Sequence, residues 1–450
     1  MLNNKIDLLL TNLESKKLLF QKKYTVLFLF CFSVLLINCK NKEHNNNVIE
    51  QLKNEVQIEN KSLKYITKKF IPTAIGNKFE EPPQISNLTV GDVNQDDLLD
   101  VVVCDIKNNT ISIISQNPKD TFTEKIVADS IKAPAHVQIF DFDSDGDKDL
   151  IVALLGMLFP NNDRIGSIIV LENDGRNNFY KRVVIENISR VADVRAGDID
   201  GDGDIDLVTA QFGYDDGETS WIENLGNWTF KNHSLQNLSG PINVELIDID
   251  FDNDLDIISL VTQEWEKIYC FENDGKGNFK PKQLWGASNE DYGSSGISIT
   301  DINKDGKPDI LYTNGDAFDY LPPLPRPWHG VQWLENLGGI KFKHHHITNF
   351  PGAFSARATD VDKDNDEDIF VVSGFNYWDK PTAESIILLE NDGNNTFNKH
   401  TIAKSPTHLI TLELADFNKD GHMDMVTGGV YIYPPYDKLE RVTLWMNAGN

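Results

Sequence analysis

Apolar and polar residues come in short bursts along most of this chain, and the bursts recur in sets of four. In one set, Val137-Gln138-Ile139-Phe140 leads into a nine-residue acidic stretch, and the apolar run Leu150-Ile151-Val152-Ala153 follows. A third burst ends in Leu171-Glu172-Asn173-Asp174-Gly175, and a fourth starts at Phe179. Runs of four to eight residues bounded by Asp, Asn and Gly predict β-strands. Asn-Asp-Gly between two apolar runs predicts a hairpin. The hairpin phrase returns at Ile222–Gly226, Phe271–Gly275, Leu334–Gly338 and Leu389–Gly393, each time with a phenylalanine a few residues on (Phe230, Phe279, Phe342, Phe397). Each unit therefore predicts four antiparallel strands, and the chain as a whole an all-β fold.

The acidic stretch sets the period. It reads Asp-x-[Asp/Asn]-x-Asp-[Gly/Asn/Asp]-x-x-Asp and starts at Asp92, Asp141, Asp198, Asp248, Asp301, Asp360 and Asp416. Successive starts lie 49, 57, 50, 53, 59 and 56 residues apart. Four-stranded units of this length, repeated radially, predict a seven-bladed β-propeller, because no blade buries its faces alone. The seventh repeat supplies three strands and reaches Thr443–Asn447. A strand over residues 63–71 is expected to complete that blade and close the ring, which removes an open sheet edge.

The phrase itself points to a cation. Asp141, Asp143, Asp145, Asp147 and Asp149 place five carboxylates in nine residues, and a divalent ion resolves their repulsion. Oxygen donors at alternating positions suit Ca2+, which takes 6–8 oxygens in a flexible shell; Mg2+ demands a stricter octahedron. The sixth position holds Asp97, Gly146, Gly203, Asn253, Gly306, Asn365 or Gly421, residue types that tolerate positive φ. The seventh position accepts Leu98, Lys307 and His422 as well as Asp, so its backbone carbonyl is the expected donor. The stretch is not an EF-hand: position 12 is Val152 or Thr209 where that motif needs Glu, and its flanks read as strands. Asp-rich turns without metal are the alternative. Seven copies that keep carboxylates or amides at positions 1, 3, 5 and 9 weigh against it.

The candidate ligands are Asp92, Asn94, Asp96 and Asp100; Asp141, Asp143, Asp145 and Asp149; Asp198, Asp200, Asp202 and Asp206; Asp248, Asp250, Asp252 and Asp256; Asp301, Asn303, Asp305 and Asp309; Asp360, Asp362, Asp364 and Asp368; and Asp416, Asn418, Asp420 and Asp424. Copies two, three, four and six are richest in carboxylate, and copy one is the most degenerate.

An acidic loop followed by an apolar strand resembles the FG-GAP/VCBS repeats of integrin-α-like seven-bladed propellers, over residues 63–450. The resemblance implies the fold and calcium-binding loops. It implies no single activity, since the fold hosts many. Asp97, Asn253 and Asn365 depart from that family's usual glycine at position 6.

Residues 24–37 are almost wholly apolar and follow Lys22-Lys23. Fourteen residues are short for a membrane span of about 20 and suit a signal-peptide core. Leu36-Ile37-Asn38-Cys39 resembles a bacterial lipobox with Cys39 as the lipidated residue; a plain signal peptide is the alternative. The expected organisation is a signal segment over 1–38, a polar tether over 39–62 and the propeller over 63–450, exported and lipid-anchored to a bacterial membrane. Cys104 and Cys270 fall in strands of different blades, so no disulfide is expected.

The formal net charge is −27, and the seven loops hold 31 of the 69 Asp and Glu residues. Much of the acidity is therefore site chemistry, and the remainder argues against a nucleic-acid partner, which needs basic patches. No nucleophile elbow, phosphate loop or dinucleotide fingerprint occurs, and no catalytic residue is assigned. Strand alternation points neighbouring members of His344-His345-His346 to opposite faces, against a three-His metal site.

Three and five residues before each loop lie mostly polar side chains, among them His136, Arg195, Arg357 and Glu413, expected to face the central channel. They suit an acidic sugar, a lyase centre, or a wet lining paired with itself. Trp328, Tyr377 and Trp378 lie in loops expected on the face opposite the acidic loops, where they either stack on a ligand or pack the loops. The leading functional expectation is a cell-surface binding or adhesion module for glycan or protein. The rival is a polysaccharide-degrading lyase. The lipobox reading predicts that Cys39→Ser moves the protein from the membrane fraction to the soluble fraction; a mutant that still pellets with membranes contradicts it.

Overall fold

The second strand of every blade is buried along its whole length, and this explains its near-continuous apolar sequence. Val101–Cys104, Leu150–Leu154 and Ile369–Val372 have neighbours on both faces, so they lack the alternation of a half-exposed strand. The computed structural model describes residues 70–449 as seven antiparallel sheets of four strands. Blade two is representative. Pro134–Phe140 pairs with Asp149–Leu154, which pairs with Gly166–Asn173, which pairs with Phe179–Ile188. Innermost strands of successive blades touch in a closed cycle, and the strand Leu409–Ala415 of blade seven meets Ile85–Gly91 of blade one. The fold is an all-β seven-bladed propeller.

The core is divided into seven slabs, one between each pair of neighbouring blades. Val102, Cys104 and Ile111 of blade one pack on Leu150, Val152 and Ile169 of blade two. Ile85, Leu88 and Val101 of blade one pack on Phe417, Val426 and Leu444 of blade seven. Burying each such side chain contributes about 1.5–3 kcal/mol, and every blade draws on two neighbours for it. Cys104 and Cys270 are buried free thiols in different slabs.

Closure takes place where the sequence placed it, with a corrected boundary. The fourth strand of blade seven is Phe70–Ile75, paired antiparallel with Val442–Asn447. The expected strand over 63–71 overlaps it only at Phe70 and Ile71; residues 63–69, and with them the tether, signal segment and Cys39, lie outside the described residues. Thr73-Ala74-Ile75 extends the strand because Gly76, at φ +89°, is the first residue to turn away. Only the two ends of this strand are buried, each against a different neighbour. Phe70 meets Phe370 of blade six edge-on at 5.3 Å between ring centroids. Ile75 joins the slab shared with blade one.

One feature of the innermost strands escapes simple alternation. In six of them a β-bulge follows the first residue, as between Pro134 and His136 and between Val191 and Asp193. A bulge re-aims side chains. It turns Ser86, Ala135, Ala192, Ile242, Phe354 and Ile410 toward the channel mouth alongside the polar residues that follow them. The mouth is therefore more apolar than the sequence pattern implies.

Loss of the closing strand should be costly, because it leaves the edge of Val442–Asn447 unpaired and uncovers the core groups on which Phe70 and Ile75 pack, Phe370 among them. A chain starting at Gly76 is expected to give little soluble protein and no cooperative melting transition, while one starting at Asn60 melts cooperatively. Equal melting of the two would mean that the ring closes without this strand.

Candidate functional site

Each acidic loop is wound by the same backbone device. Residue 6 has positive φ in all seven copies, from +66° at Asp97 to +97° at Gly146. Residue 4 also has positive φ in all seven, at Gln95, Ser144, Gly201, Phe251, Lys304, Lys363 and Lys419. Only one of these seven is glycine, so residue types alone carry no sign of the second left-handed position. A non-glycine residue held there is strained by about 1–2 kcal/mol. The winding turns N–H groups of residues 4–6 onto the first carboxylate. In blade four, Asp248 Oδ1 accepts from Phe251 at 2.7 Å and Asp252 at 3.1 Å, and Oδ2 accepts from Asn253 at 3.0 Å. The carboxylate at position 5 accepts the N–H of residue 7, as Asp145 does from Asp147 at 3.0 Å.

The last aspartate works differently. It is buried in every blade and braces the loop against the sheet. Asp149 Oδ2 accepts the N–H of Phe142, loop residue 2, at 2.9 Å, and Oδ1 accepts the N–H of Asn173 at 2.8 Å. The first of these bonds is present in all seven blades. The second is made by Asn173, Asn224, Asn273, Asn336, Asn391 and Asn447. Blade one has Gln116 at that place, and there Asp100 Oδ1 is buried without a partner.

The asparagine side chain completes the brace. Its amide donates to the carbonyl of loop residue 8, as Asn173 does to Lys148 at 3.2 Å. In two blades it also reaches the preceding blade's loop: Asn273 donates to Ile199 O at 2.8 Å and Asn336 to Ile249 O at 3.2 Å. Gln116 reaches across the ring junction to Phe417 O at 3.3 Å. The sequence reading treated this asparagine only as a turn residue. Its recurrence at one place in the repeat was the available signal.

Four loops gather three carboxylates whose nearest oxygens lie within 4.8 Å of one another: Asp141, Asp143 and Asp149; Asp198, Asp200 and Asp202; Asp248, Asp250 and Asp256; Asp360, Asp362 and Asp368. These are the four loops that the sequence ranks richest. Loops one, five and seven carry Asn94, Asn303 and Asn418 at position 3. Burial, followed by smaller effects of neighbouring carboxylates, raises the position-9 aspartates to about 6 at Asp149 and about 7 at Asp256 and Asp368. Asp141 Oδ1 and Asp250 Oδ1 are buried with no hydrogen-bond partner. Unpartnered carboxylate oxygens that converge at this spacing form a hard donor set suited to a divalent cation.

The other face is built from the connections between second and third strands and those between blades. A cavity of about 290 Å³ opens at the centre of this face, lined from all seven blades. It contains His136, Arg195 and Arg357, three of the predicted ligand-binding residues. Arg195 holds Glu245 through two bonds, at 3.0 and 3.1 Å, and donates to Asp193 at 2.7 Å. Arg357 holds Glu413 at 2.6 and 3.3 Å. Burial, with Arg195 alongside, holds the His136 imidazole well below its ordinary pKa, so it is neutral. These residues are paired with one another.

The three aromatic candidates separate. Tyr377 and Trp378 line a groove of about 750 Å³ between the outer loops of blades five, six and seven, with Leu321, Tyr433 and Pro434. Tyr377 is exposed under Lys380, whereas Trp378 is buried against the His408 ring at 5.4 Å. Trp328 lies outside the groove, with its indole N–H donated to Asp291 O at 2.9 Å. The three histidines of the outer strand take separate partners: His344 stacks on Trp285, His345 pairs with Glu335 at 2.7 Å, and His346 bonds Gln332 at 3.0 Å.

Comparison with known proteins agrees with this architecture. Among curated proteins none matches the chain. A virginiamycin B lyase from Staphylococcus aureus superimposes with a TM-score of 0.51 at 13% identity, over 84% of this chain and 99% of that one. BBS1N, solved in complex with ARL6DN, superimposes with a TM-score of 0.50 at 10% identity, over 84% of this chain and 96% of that one. At such identities the likeness is one of fold alone. The FG-GAP-like repeat matches residues 92–152, 141–209, 198–259, 260–312 and 360–427, which take in all seven acidic loops and more than half of the sequence. The chain therefore belongs to the FG-GAP-like repeat family.

Proposed function

We propose that this protein is an exported, lipid-anchored, calcium-binding propeller that serves as a cell-surface binding module, with its ligand, a glycan or a protein, held on the face opposite the acidic loops. The observation that carries this reading is the greater share of exposed apolar side chains on that face. Met157, Phe159, Tyr214, Leu321, Trp328, Tyr377 and Tyr436 are exposed on its loops, with Leu321 87% exposed, against Leu225, Phe251, Leu337 and Met423 on the acidic-loop face. Apolar groups left in water around a groove, on loops held by a rigid frame, favour a binding surface. The lyase alternative draws less support, because Arg195 and Arg357 are already neutralised by Glu245 and Glu413.

Calcium is the cation this reading assigns to the loops. The donors are all oxygen, offered at alternating positions of a nine-residue loop, which fits an ion of 6–8 ligands better than Mg2+. In each loop the ion would offset the repulsion of the gathered carboxylates and stabilise the strained backbone at residues 4 and 6.

Metal removal has a predictable sign. Asp149 stands at about 6 and Asp256 at about 7 in the metal-free fold, against an ordinary 3.8. Between these values the native state holds protons that the unfolded chain has released, so metal-free stability falls as pH rises from about 4 to about 7. In chelator, Tm should therefore decline across that window. Millimolar calcium should raise Tm at pH 7 by mass action. Identical melting curves at pH 7 in chelator and in calcium would contradict the assignment.

The binding reading is tested on a glycan array and a panel of surface proteins, with wild type beside the Leu321→Ser/Tyr377→Ala double variant. The expected result is retention of at least one ligand by wild type and loss of about tenfold or more in the variant at unchanged Tm. Undiminished binding by the variant would refute this face as the site. A new ultraviolet absorbance of unsaturated product from uronic-acid polysaccharides would favour the lyase.

A further inference from the structure

Three arginines line the central cavity, and one of them forms no ion pair. Arg195 and Arg357 each hold a glutamate through two bonds. Arg190, just before the first strand of blade three, is 2% exposed. Its Nε donates to Met157 O at 3.2 Å, and its Nη2 donates to Met157 O at 3.1 Å and Leu158 O at 2.7 Å. The guanidinium lies over the Phe212 ring, 5.2 Å from its centroid. Its Nη1 is buried with no hydrogen-bond partner. Among the described residues no carboxylate stands within 4.0 Å of its nitrogens, so it forms no ion pair.

A buried cation with no carboxylate in contact is expensive, and an anionic ligand would supply the missing charge. The carbonyls and the Phe212 ring fix the guanidinium in the cavity wall, so its positive charge is preorganised toward an anion held in that cavity. The cavity wall has an apolar part, Phe159, Phe318, Phe354 and Ile410, beside polar groups that include Asn243 and Asp316. About 290 Å³ is at the small end of ligand pockets. That space takes one ring and excludes a folded partner.

We infer that the central cavity binds a small organic carboxylate carried on a ring with an apolar face, and that Arg190 supplies the opposing charge. Asp319, an exposed residue of the long blade-five loop, also lines the cavity, and its charge acts on Arg190 without direct contact. It stands in for the ligand at a distance and competes with it. This site goes beyond the outer surface proposed above and does not depend on it, since the Leu321/Tyr377 variant leaves the cavity wall intact.

The test is a calorimetric titration of the calcium-loaded protein with phenylacetate and with glucuronate, each beside its neutral counterpart, 2-phenylethanol or glucose. The proposal expects saturable binding of at least one carboxylate and binding about tenfold or more weaker for its neutral partner. Arg190→Gln should lose about tenfold or more in carboxylate affinity. Asp319→Asn, at an exposed position that leaves folding intact, should tighten carboxylate binding by about twofold or more, because it removes the competing charge. Asp319→Asn thus decides the matter even where Arg190→Gln does not fold. Absence of binding by both carboxylates, equal binding of the neutral compounds, or no gain in Asp319→Asn would overturn the inference.

Discussion

The structure depends on one buried carboxylate per blade. The last aspartate of each acidic loop lies inside the sheet, where an isolated charge is unfavourable, and in six blades backbone N–H groups hold it from two sides; in blade one Asp100 is held from one. One bond fixes the start of the loop, and the other fixes the end of the third strand. The same asparagine then ties the loop's far end and, in blades four and five, the neighbouring blade's loop. Loop conformation, hairpin position and blade spacing are thereby set by one small hydrogen-bonded unit. Its repetition lets seven marginal sheets form one ring.

The two faces of that ring follow different physical rules. On the loop face, polar groups converge: the backbone is wound left-handed at two residues per loop, and the first carboxylate of every loop accepts backbone N–H groups. Its geometry repeats from blade to blade with little freedom. On the opposite face the connections differ in length and composition, and the β-bulges open the innermost strands so that apolar residues enter the channel mouth. The frame bears the constraint, and the variable loops are left to carry apolar and aromatic groups into solvent.

Much of this was legible in the sequence, for reasons of local chemistry. The seven-fold period, the turn residues at loop position 6 and the shortfall of one strand in the last blade identified the propeller and its closure. Carboxylate count picked out the four loops whose oxygens gather. What was not legible depended on tertiary context. Position 4 is left-handed whether it holds Gly201 or Phe251, because the first carboxylate draws the N–H groups inward whatever the side chain. Trp378 and Tyr377 are adjacent in sequence, yet one is buried on His408 and the other exposed. Arg190 lies between blades, outside any repeat position that carries a signal. The closing strand ran further than expected because nothing before Gly76 breaks it.

The central claim is that the brace presents seven preformed but unequal cation sites. Calcium titration of the chelator-stripped protein by calorimetry tests it directly. The account predicts two classes of site: a tighter set of about four, in the loops beginning at Asp141, Asp198, Asp248 and Asp360, and a weaker set in the three loops with asparagine at position 3. Asp143→Asn should move one site from the tighter class to the weaker. Absence of binding heat, or a single class that Asp143→Asn leaves unchanged, would contradict the account.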